Sequence, residues 1–447
     1  MTVDDILPRE PWTRRRIDRV VAATALFVPL GIVGFLDRTF GVSLLGAALF
    51  VLLVTKLLIA RRVREQVGES SPLDRSLRLT IVMPMHNEDP EFAVAAVMSM
   101  LAQSRPPNHL HVIDDDSTDG GAAADAVAAA LRRNADPSAW TLTRLRENLG
   151  KRAALAVGFR FDVAADIFLC VDSDTVLDPR AIEAGLRPFS DPRTSGVAGF
   201  VSAHNWSRNV LTRLIDLRYV SAFLAERAAY SFFGAVLCCC GSLAFYRADV
   251  VRANLEDFLD QRFLGRVATY GDDRRLTNYA LRSGRVVLCA SARASTAVPE
   301  RFGHYVRQQV RWNKSFIRES LWVLGTFPLS ANAFWLTLCE VFTWIVVTAL
   351  FVFTLAIWPL TNSNRALLPF VAFIALAAYA RNAVYLHDNR RSLRPRDRIA
   401  IFALAPLYGV LHLVVLSPLR FWSIATLRRT RWGTRQRVEV RYSAARH

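Results

Sequence analysis

Ile167-Phe168-Leu169-Cys170-Val171-Asp172-Ser173-Asp174 is the stretch on which the reading of this chain turns. An unbroken apolar run without polar alternation suits a strand covered on both faces of an α/β sheet, and this one stops at a pair of carboxylates. Carboxylates spaced i, i+2 leave such a strand on the same side, which suits a hard divalent cation. Mg²⁺ keeps waters, takes one or two carboxylates and fills its remaining positions with substrate phosphate oxygens. The spacing therefore points to a nucleotide-diphosphate substrate, with the metal on Asp174 and Asp172. A solvated strand-to-loop corner is the alternative for Asp-x-Asp alone, so the neighbours decide.

Around this motif, strand-like and helix-like stretches alternate from residue 79 to 290. Strands are expected at 79–84, 110–114, 141–145 and 167–171, with helices at 91–101, 122–132, 152–161 and 180–188 between them. The expectation is a parallel doubly wound sheet, whose ligands collect at the carboxyl ends of the strands. Polar residues fall at those ends: Pro84-Met85-His86-Asn87-Glu88-Asp89 after the first strand and Asp114-Asp115-Asp116-Ser117 after the second. Three consecutive aspartates after a buried strand are costly unless donors or a cation face them. The structural alternative makes Ser117, Asp119 or Asn87 a helix cap. Lys151 follows Asn148-Leu149-Gly150 at a helix start, where the helix amino end and the ammonium both attract phosphate; a solvated surface lysine is the alternative.

The bulk composition excludes an ordinary soluble domain. The chain has 447 residues, 52% of them hydrophobic, with a mean hydropathy of +0.21. Stretches 17–36, 40–60, 334–358 and 367–386 each approach the roughly 20 apolar residues of a spanning helix. A fifth, 399–421, is interrupted by Pro406 and Pro418, and the parity of the basic tail favours a broken, re-entrant hairpin there. Arg14, Arg15 and Arg16 before the first stretch, and Arg61, Arg62 and Arg64 after the second, place the N-terminus and the chain beyond residue 60 in the cytoplasm. The first stretch is half of a hairpin rather than a cleaved signal. Net charge is +17, but the arginines cluster beside apolar segments, as at 390–398 and 428–437. That suits topology and anionic lipid; no nucleic-acid-binding pattern accompanies it. Cys238, Cys239 and Cys240 lack zinc-site spacing and are read as small buried residues on a strand in a reducing compartment.

Two later motifs complete the set. Gly271-Asp272-Asp273-Arg274 places carboxylates beside a guanidinium before a helix at 274–283. Gln308-Gln309-Val310-Arg311-Trp312 lies in an amphipathic stretch, 300–323, that suits a membrane interface and whose aromatics also suit sugar rings.

Strand-end carboxylates, Asp-x-Asp, a second acidic motif and Gln-x-x-Arg-Trp, in this order and followed by membrane helices, resemble the processive family 2 glycosyltransferases, which include cellulose, chitin and hyaluronan synthases. Val171 to Thr175, Gly271 to Tyr279, Arg311 to Phe316 and Trp432-Gly433-Thr434-Arg435 are similar to the bacterial class I hyaluronan synthases, over about residues 78–437. Departures are Asp116 in place of a usual glycine and Gly241-Ser242 in place of Gly-Pro. The triple cysteine is more similar to chitin-oligosaccharide synthases of nodulating bacteria.

The resemblance implies a cytoplasmic GT-A-type glycosyltransferase domain inserted between N- and C-terminal transmembrane helices. The boundaries are a hairpin at 1–64, the catalytic domain at 65–299, interfacial helices with the QxxRW motif at 300–330, a channel region at 331–427 and a basic tail at 428–447. It implies inverting transfer from UDP-GlcNAc and UDP-GlcA to a growing hyaluronan chain, with membrane lipid around the protein and no obligatory protein partner. Asp115 with Asp114 would bind uridine, Lys151 and Arg311 the diphosphate, and Asp174, supported by Asp172, would hold Mg²⁺, with Mn²⁺ also suitable. An acceptor hydroxyl is a poor nucleophile, so Asp273 would be the general base that takes its proton, with Asp272 and Arg274 in the catalytic group, and Asn87, Glu88 and Gln308 would contact substrate. Trp312 would stack the acceptor, and Trp432 and Arg435 would close the nucleotide side. The alternatives are a chitin-type synthase using UDP-GlcNAc only, and a silent membrane scaffold of the same fold. Release of UDP in the presence of Mg²⁺ separates the scaffold from the enzymes.

Overall fold

The four apolar runs expected as strands form the middle and one flank of an eight-stranded sheet. The computed structural model describes residues 40–66, 73–118, 120–352, 367–388, 390 and 393–429. The strands are β1 (Leu79–Met85), β2 (His109–Asp114), β3 (Trp140–Arg144), β4 (Ile167–Cys170), β5 (Thr175–Leu177), β6 (Thr194–Ala203), β7 (Ala244–Arg247), β8 (Arg262–Phe263), β9 (Arg266–Val267) and β10 (Arg285–Thr296). Every residue of β1, β2, β4 and β6 is buried, as suits strands covered on both faces.

The sheet order is β3-β2-β1-β4-β7-β6-β10-β5, with β8 and β9 forming a separate hairpin. Strands β3, β2, β1 and β4 are parallel. Beyond them the expectation of a parallel sheet fails: β7 runs antiparallel to both β4 and β6, and β5 runs antiparallel to β10. Both reversed strands are too short for a hydrophobic period to show in the sequence. The reversal matters for the site. A strand antiparallel to β4 brings its amino end, and the loop before it, to the edge where β1, β2 and β4 present their carboxyl ends.

Helix Asp272–Ser283 starts at Gly271, whose φ is +88°. A Cβ there would stand 2.4 Å from Ser315 Oγ, so the chain approaches helix Phe302–Thr326 as only glycine allows. A buried ionic knot locks the same two helices. Glu319 accepts from Arg275 Nε at 2.8 Å, Arg318 Nε at 2.7 Å and Asn278 Nδ2 at 3.1 Å. Removing one partner of a buried charged network typically costs about 3–5 kcal/mol. Glu319→Gln is therefore expected to lower the unfolding midpoint of the purified protein markedly, and an unchanged midpoint would show that the knot is not what joins the helices.

Among the described residues two helices are long and apolar enough to cross a membrane, Asn332–Ala349 and Pro395–Ala425. The expected re-entrant hairpin is not formed: Pro395–Ala425 is a single 31-residue helical run. Pro406 and Pro418 each fall in the first turn of a new helical segment, where a missing N–H costs little, and a π-helical turn at His412–Leu416 separates the two segments. The 40–60 stretch lies in helix Phe40–Gln66 and the 367–386 stretch begins with helix Leu367–Asn382. The stretch 17–36 lies outside the described residues. Asp216, beneath β6, accepts from Ala203 N at 2.9 Å, Tyr385 OH at 2.6 Å and Arg390 Nη1 at 2.9 Å, tying the segment after helix Leu367–Asn382 to the sheet.

Candidate active site

Asp172 and Asp174 leave the end of β4 in a turn braced from behind by Glu88, which accepts from Ser173 Oγ at 2.8 Å. Asp172 forms an ion pair with Lys151 through Oδ1 and accepts from Ser242 Oγ at 2.8 Å through Oδ2. Asp174, only 6% exposed, accepts from Thr296 Oγ1 at 2.9 Å because β5 pairs back onto the end of β10. Burial alone would lower the pKa of Lys151, but Asp172, Asp272 and Asp273 more than reverse this and hold it above the usual lysine range. A Cβ on Gly241 would stand 3.1 Å from Lys151 Nζ, so glycine is what lets the loop before β7 lie against this pair.

This corner fits a divalent cation. Its donors are hard carboxylate oxygens two residues apart, and a cation, the Lys151 ammonium, is already drawn to them. Asp172 is paired with a competing cation, Lys151, whereas Asp174 accepts from the neutral Thr296 hydroxyl. Among the described residues no group of three or more His, Cys, Asp or Glu side chains forms a protein-only cage. An ion here would draw its remaining ligands from water and substrate, as Mg²⁺ does at phosphate sites.

Asp115 organises the loop leading to Lys151. Its carboxylate accepts from Leu149 N and Gly150 N, each at 2.9 Å, and its carbonyl accepts from His86 Nδ1 at 2.7 Å and Asn148 Nδ2 at 3.1 Å. Burial pushes the Asp115 carboxyl up, against the pull of those two backbone donors. Asp114 is turned from the cavity and accepts from Ser117 Oγ at 2.6 Å. Asn87 binds Thr118 through its side-chain oxygen, at 2.8 Å to the backbone N, so it joins the loops after β1 and β2 rather than capping a helix; Asp89 is the cap. Ser117 caps no helix either, since helix Ala122–Asn134 begins at Gly121 without a side-chain cap. Asp116 adopts φ +55°, which accounts for glycine being usual there. Asp119 lies outside the described residues.

Asp273 sits in the first turn of helix Asp272–Ser283. Its Oδ1 accepts from Arg274 N at 2.8 Å, and its Oδ2 faces Cys238 Sγ at 3.6 Å. Burial raises its pKa, with Arg274 and Lys151 opposing. Asp272 pairs with Arg152 Nε at 2.8 Å and so fixes the start of the Asp273 helix against the helix that carries Lys151. Gln308, Arg311 and Trp312 reach the same space from helix Phe302–Thr326. The Trp312 indole is 42% exposed, 6.2 Å from the Tyr219 ring. Gln308 Oε1 is buried with no hydrogen-bond partner among the described residues, an acceptor suited to a ligand donor.

One cavity of about 790 Å³ is lined by Asp115, Lys151, Asp172, Asp174, Asp272, Asp273, Arg274, Gln308, Arg311 and Trp312. Asn87, Glu88 and Asp114 stand behind its wall. Trp432 and Arg435 lie outside the described residues. The cavity is also lined by His86, Ser242, Tyr219, Glu226, Tyr230 and Glu340, which the sequence analysis did not select. Glu340 pairs with Lys56 Nζ at 3.1 Å; each is a lone charge in an apolar stretch, and that was the available signal. Glu226 lies in a π-helical turn, Ala222–Arg227, that no local pattern announces. The cysteines are in a loop rather than a strand: Cys239 is buried, while Cys238 and Cys240 reach the cavity.

Residues 80–255 match the family model for glycosyl transferase family 2. The chain is 37% identical to a hyaluronan synthase of Streptococcus pyogenes, covering 91% of this chain and 94% of that one. It is 31% identical to an N-acetylglucosaminyltransferase of Azorhizobium caulinodans, covering 82% and 90%. Among solved structures, the mannosyltransferase PcManGT from Pyrobaculum calidifontis, in complex with GDP-Man and Mn²⁺, aligns with a TM-score of 0.53 at 18% identity. That alignment covers 89% of this chain and 99% of the other, a likeness of fold.

Proposed function

This chain belongs to glycosyl transferase family 2 as a homologue of hyaluronan synthase, and on that premise we propose that it polymerises UDP-GlcNAc and UDP-GlcA into hyaluronan and passes the product across a membrane. The observation that carries the reading is the single cavity running from Asp174 past Asp273 to Trp312 and on to Glu340 in an apolar helix. Carboxylates for the donor, a carboxylate for proton acceptance and an aromatic support for sugar thereby share one space with residues of apolar helices. The arginines around residues 14–16 and 61–64 support a cytoplasmic catalytic domain.

In this mechanism the nucleotide lies along the ends of β1 and β2, near Asp115, with its diphosphate against Lys151 at a helix amino end and against Arg311. Mg²⁺ or Mn²⁺, held by Asp174 with Asp172 beside it, would neutralise charge on the departing UDP. Asp273 Oδ2 takes the proton of the acceptor hydroxyl as its oxygen bonds to the anomeric carbon. The bond from that carbon to the phosphate oxygen breaks, and UDP leaves with the electron pair. A single displacement inverts the centre, so an α-linked donor gives a β-linkage without a covalent sugar-enzyme intermediate. The elevated proton affinity of Asp273 suits it to this step. Trp312 supports the acceptor ring at the mouth of the exit path.

A GlcA-accepting site must offset a carboxylate. Arg275 is committed to Glu319 and Asp257, which leaves Arg274 and Arg307, both on the cavity wall, as the nearer cations. The test is incubation of the purified protein with Mg²⁺ and each donor alone or both together, followed by a hyaluronan-specific lyase. The expected product requires both donors and is degraded. A lyase-resistant polymer made from UDP-GlcNAc alone would replace this reading with a chitin-type synthase; the Azorhizobium relative is an N-acetylglucosaminyltransferase by name.

A further inference from the structure

The loop before β7 touches both acidic centres, through Ser242 at Asp172 and through Cys238 at Asp273. The first contact belongs to the donor corner described above. The second concerns which oxygen of Asp273 meets the acceptor, and it rests on Asp273 being the general base. Asp273 Oδ1 is occupied by Arg274 N at 2.8 Å. Among the described residues, the only hydrogen-bond partner of Oδ2 is the Cys238 thiol. We propose that Cys238 is a positioning residue: its S–H donates to Asp273 Oδ2 and turns that oxygen toward the acceptor hydroxyl, through a bond weak enough to leave the carboxylate basic.

Three observations carry this beyond a chance contact. The loop is stitched to the Asp273 helix, since Cys239 N donates to Thr277 Oγ1 at 2.9 Å and Thr277 Oγ1 donates to the Asp273 carbonyl at 2.6 Å. The Cys238 carbonyl is held in turn by Arg227 Nε at 2.8 Å, so the thiol sits on a backbone fixed from both sides. Cys238 and Asp273 also line the same cavity, where the acceptor hydroxyl must arrive. Burial, together with the nearby Asp273 charge, keeps the thiol protonated, so it is a donor at neutral pH. A thiol is the weakest side-chain donor for this task. A hydroxyl would bind the carboxylate more strongly and make it a poorer base, and an apolar group would leave it unoriented.

The groups facing Asp273 are Arg274 and Asp272 on its own helix, Lys151 on helix Lys151–Phe161, and the thiols of the 238–240 loop. The Tyr246 hydroxyl of β7 reaches its backbone carbonyl at 3.3 Å. Apart from the Cys238 thiol itself, none is altered by exchanging Cys238 for valine, which fills similar space without a donor, or for serine, which restores one. A hydrogen bond to the ionised carboxylate favours that form. Its loss raises the carboxyl pKa and moves the acidic limb of the kcat profile to higher pH; a stronger donor moves it lower.

The experiment measures UDP release against pH, with both donors and Mg²⁺, for the full chain, C238V, C238S and D273N, after UDP binding has shown each to be folded. C238V should move the acidic limb up by about half a pH unit, and C238S should return it to the parent position or below. Independently of turnover, the S–H stretching band lost in C238V should lie at lower frequency in the parent than in D273N, because a carboxylate is the stronger acceptor. If D273N loses turnover while both Cys238 variants leave the limb unmoved, or move it the same way, the role of Cys238 falls alone. Parent-like turnover in D273N would overturn the base assignment and this proposal with it.

Discussion

Asp273→Asn is expected to abolish nearly all polymer synthesis, cutting turnover by about 10²- to 10⁴-fold, while UDP-sugar binding persists. The substitution keeps the volume and leaves an oxygen to accept from Arg274 N, so the helix start stays in place. What it removes is the proton acceptor, in a position where burial has raised the affinity of the carboxylate for a proton. The sign of the pH dependence follows. A base with a raised pKa is protonated, and therefore idle, at a higher pH than an ordinary aspartate, so the parent should lose turnover on acidification at a higher pH than an unshifted aspartate would impose. Steady-state UDP release and donor binding, measured side by side, check the prediction. Synthesis close to the parent rate would assign the base to another residue.

Asp174→Ala is expected to remove the metal dependence of donor binding and to lower turnover by roughly 10²- to 10³-fold, the scale of a lost Lewis-acid contribution of several kcal/mol. Asp174 is the carboxylate of the pair with the weaker competing demands: Thr296 is a neutral donor, whereas Asp172 carries the Lys151 ion pair as well as Ser242. Titrating UDP into the variant with and without Mg²⁺ or Mn²⁺ is the direct measurement. An affinity that still rises with added metal would move the ion to a different site.

The sequence by itself determined the central strands and the chemistry at their ends. β1, β2 and β4 are buried along their whole length, and the apolar residues that dominate β1 and β4 show in any reading. The carboxylates that end those runs are conspicuous because charge next to a buried strand needs a reason. The short motifs around Asp273, Arg311 and Trp312 also stand out in the sequence, and the structure brings the three residues to one cavity. Local reading does not show which way some neighbours turn. Asn87, Glu88 and Asp114 have the right chemistry for a ligand, but their hydrogen bonds are spent on Thr118, Ser173 and Ser117, so they shape the site from behind it.

Only the tertiary structure decided how the motifs meet. The direction of β7 is set by pairing on both sides, with β4 and β6, and no feature of its four residues encodes that reversal. Yet the reversal brings Gly241 and Ser242 to Asp172 and Cys238 to Asp273. The Pro395–Ala425 stretch is a similar case. Its prolines read locally as breaks, but each falls where the helix changes segment, after the turn at Leu404 and after the π-helical turn His412–Leu416, and the run continues past both. Burial and strand-end charge are properties of one segment and can be read from it. Which loop faces which carboxylate depends on pairings between residues far apart in the chain, whose free energies exist only once the sheet and helices have packed.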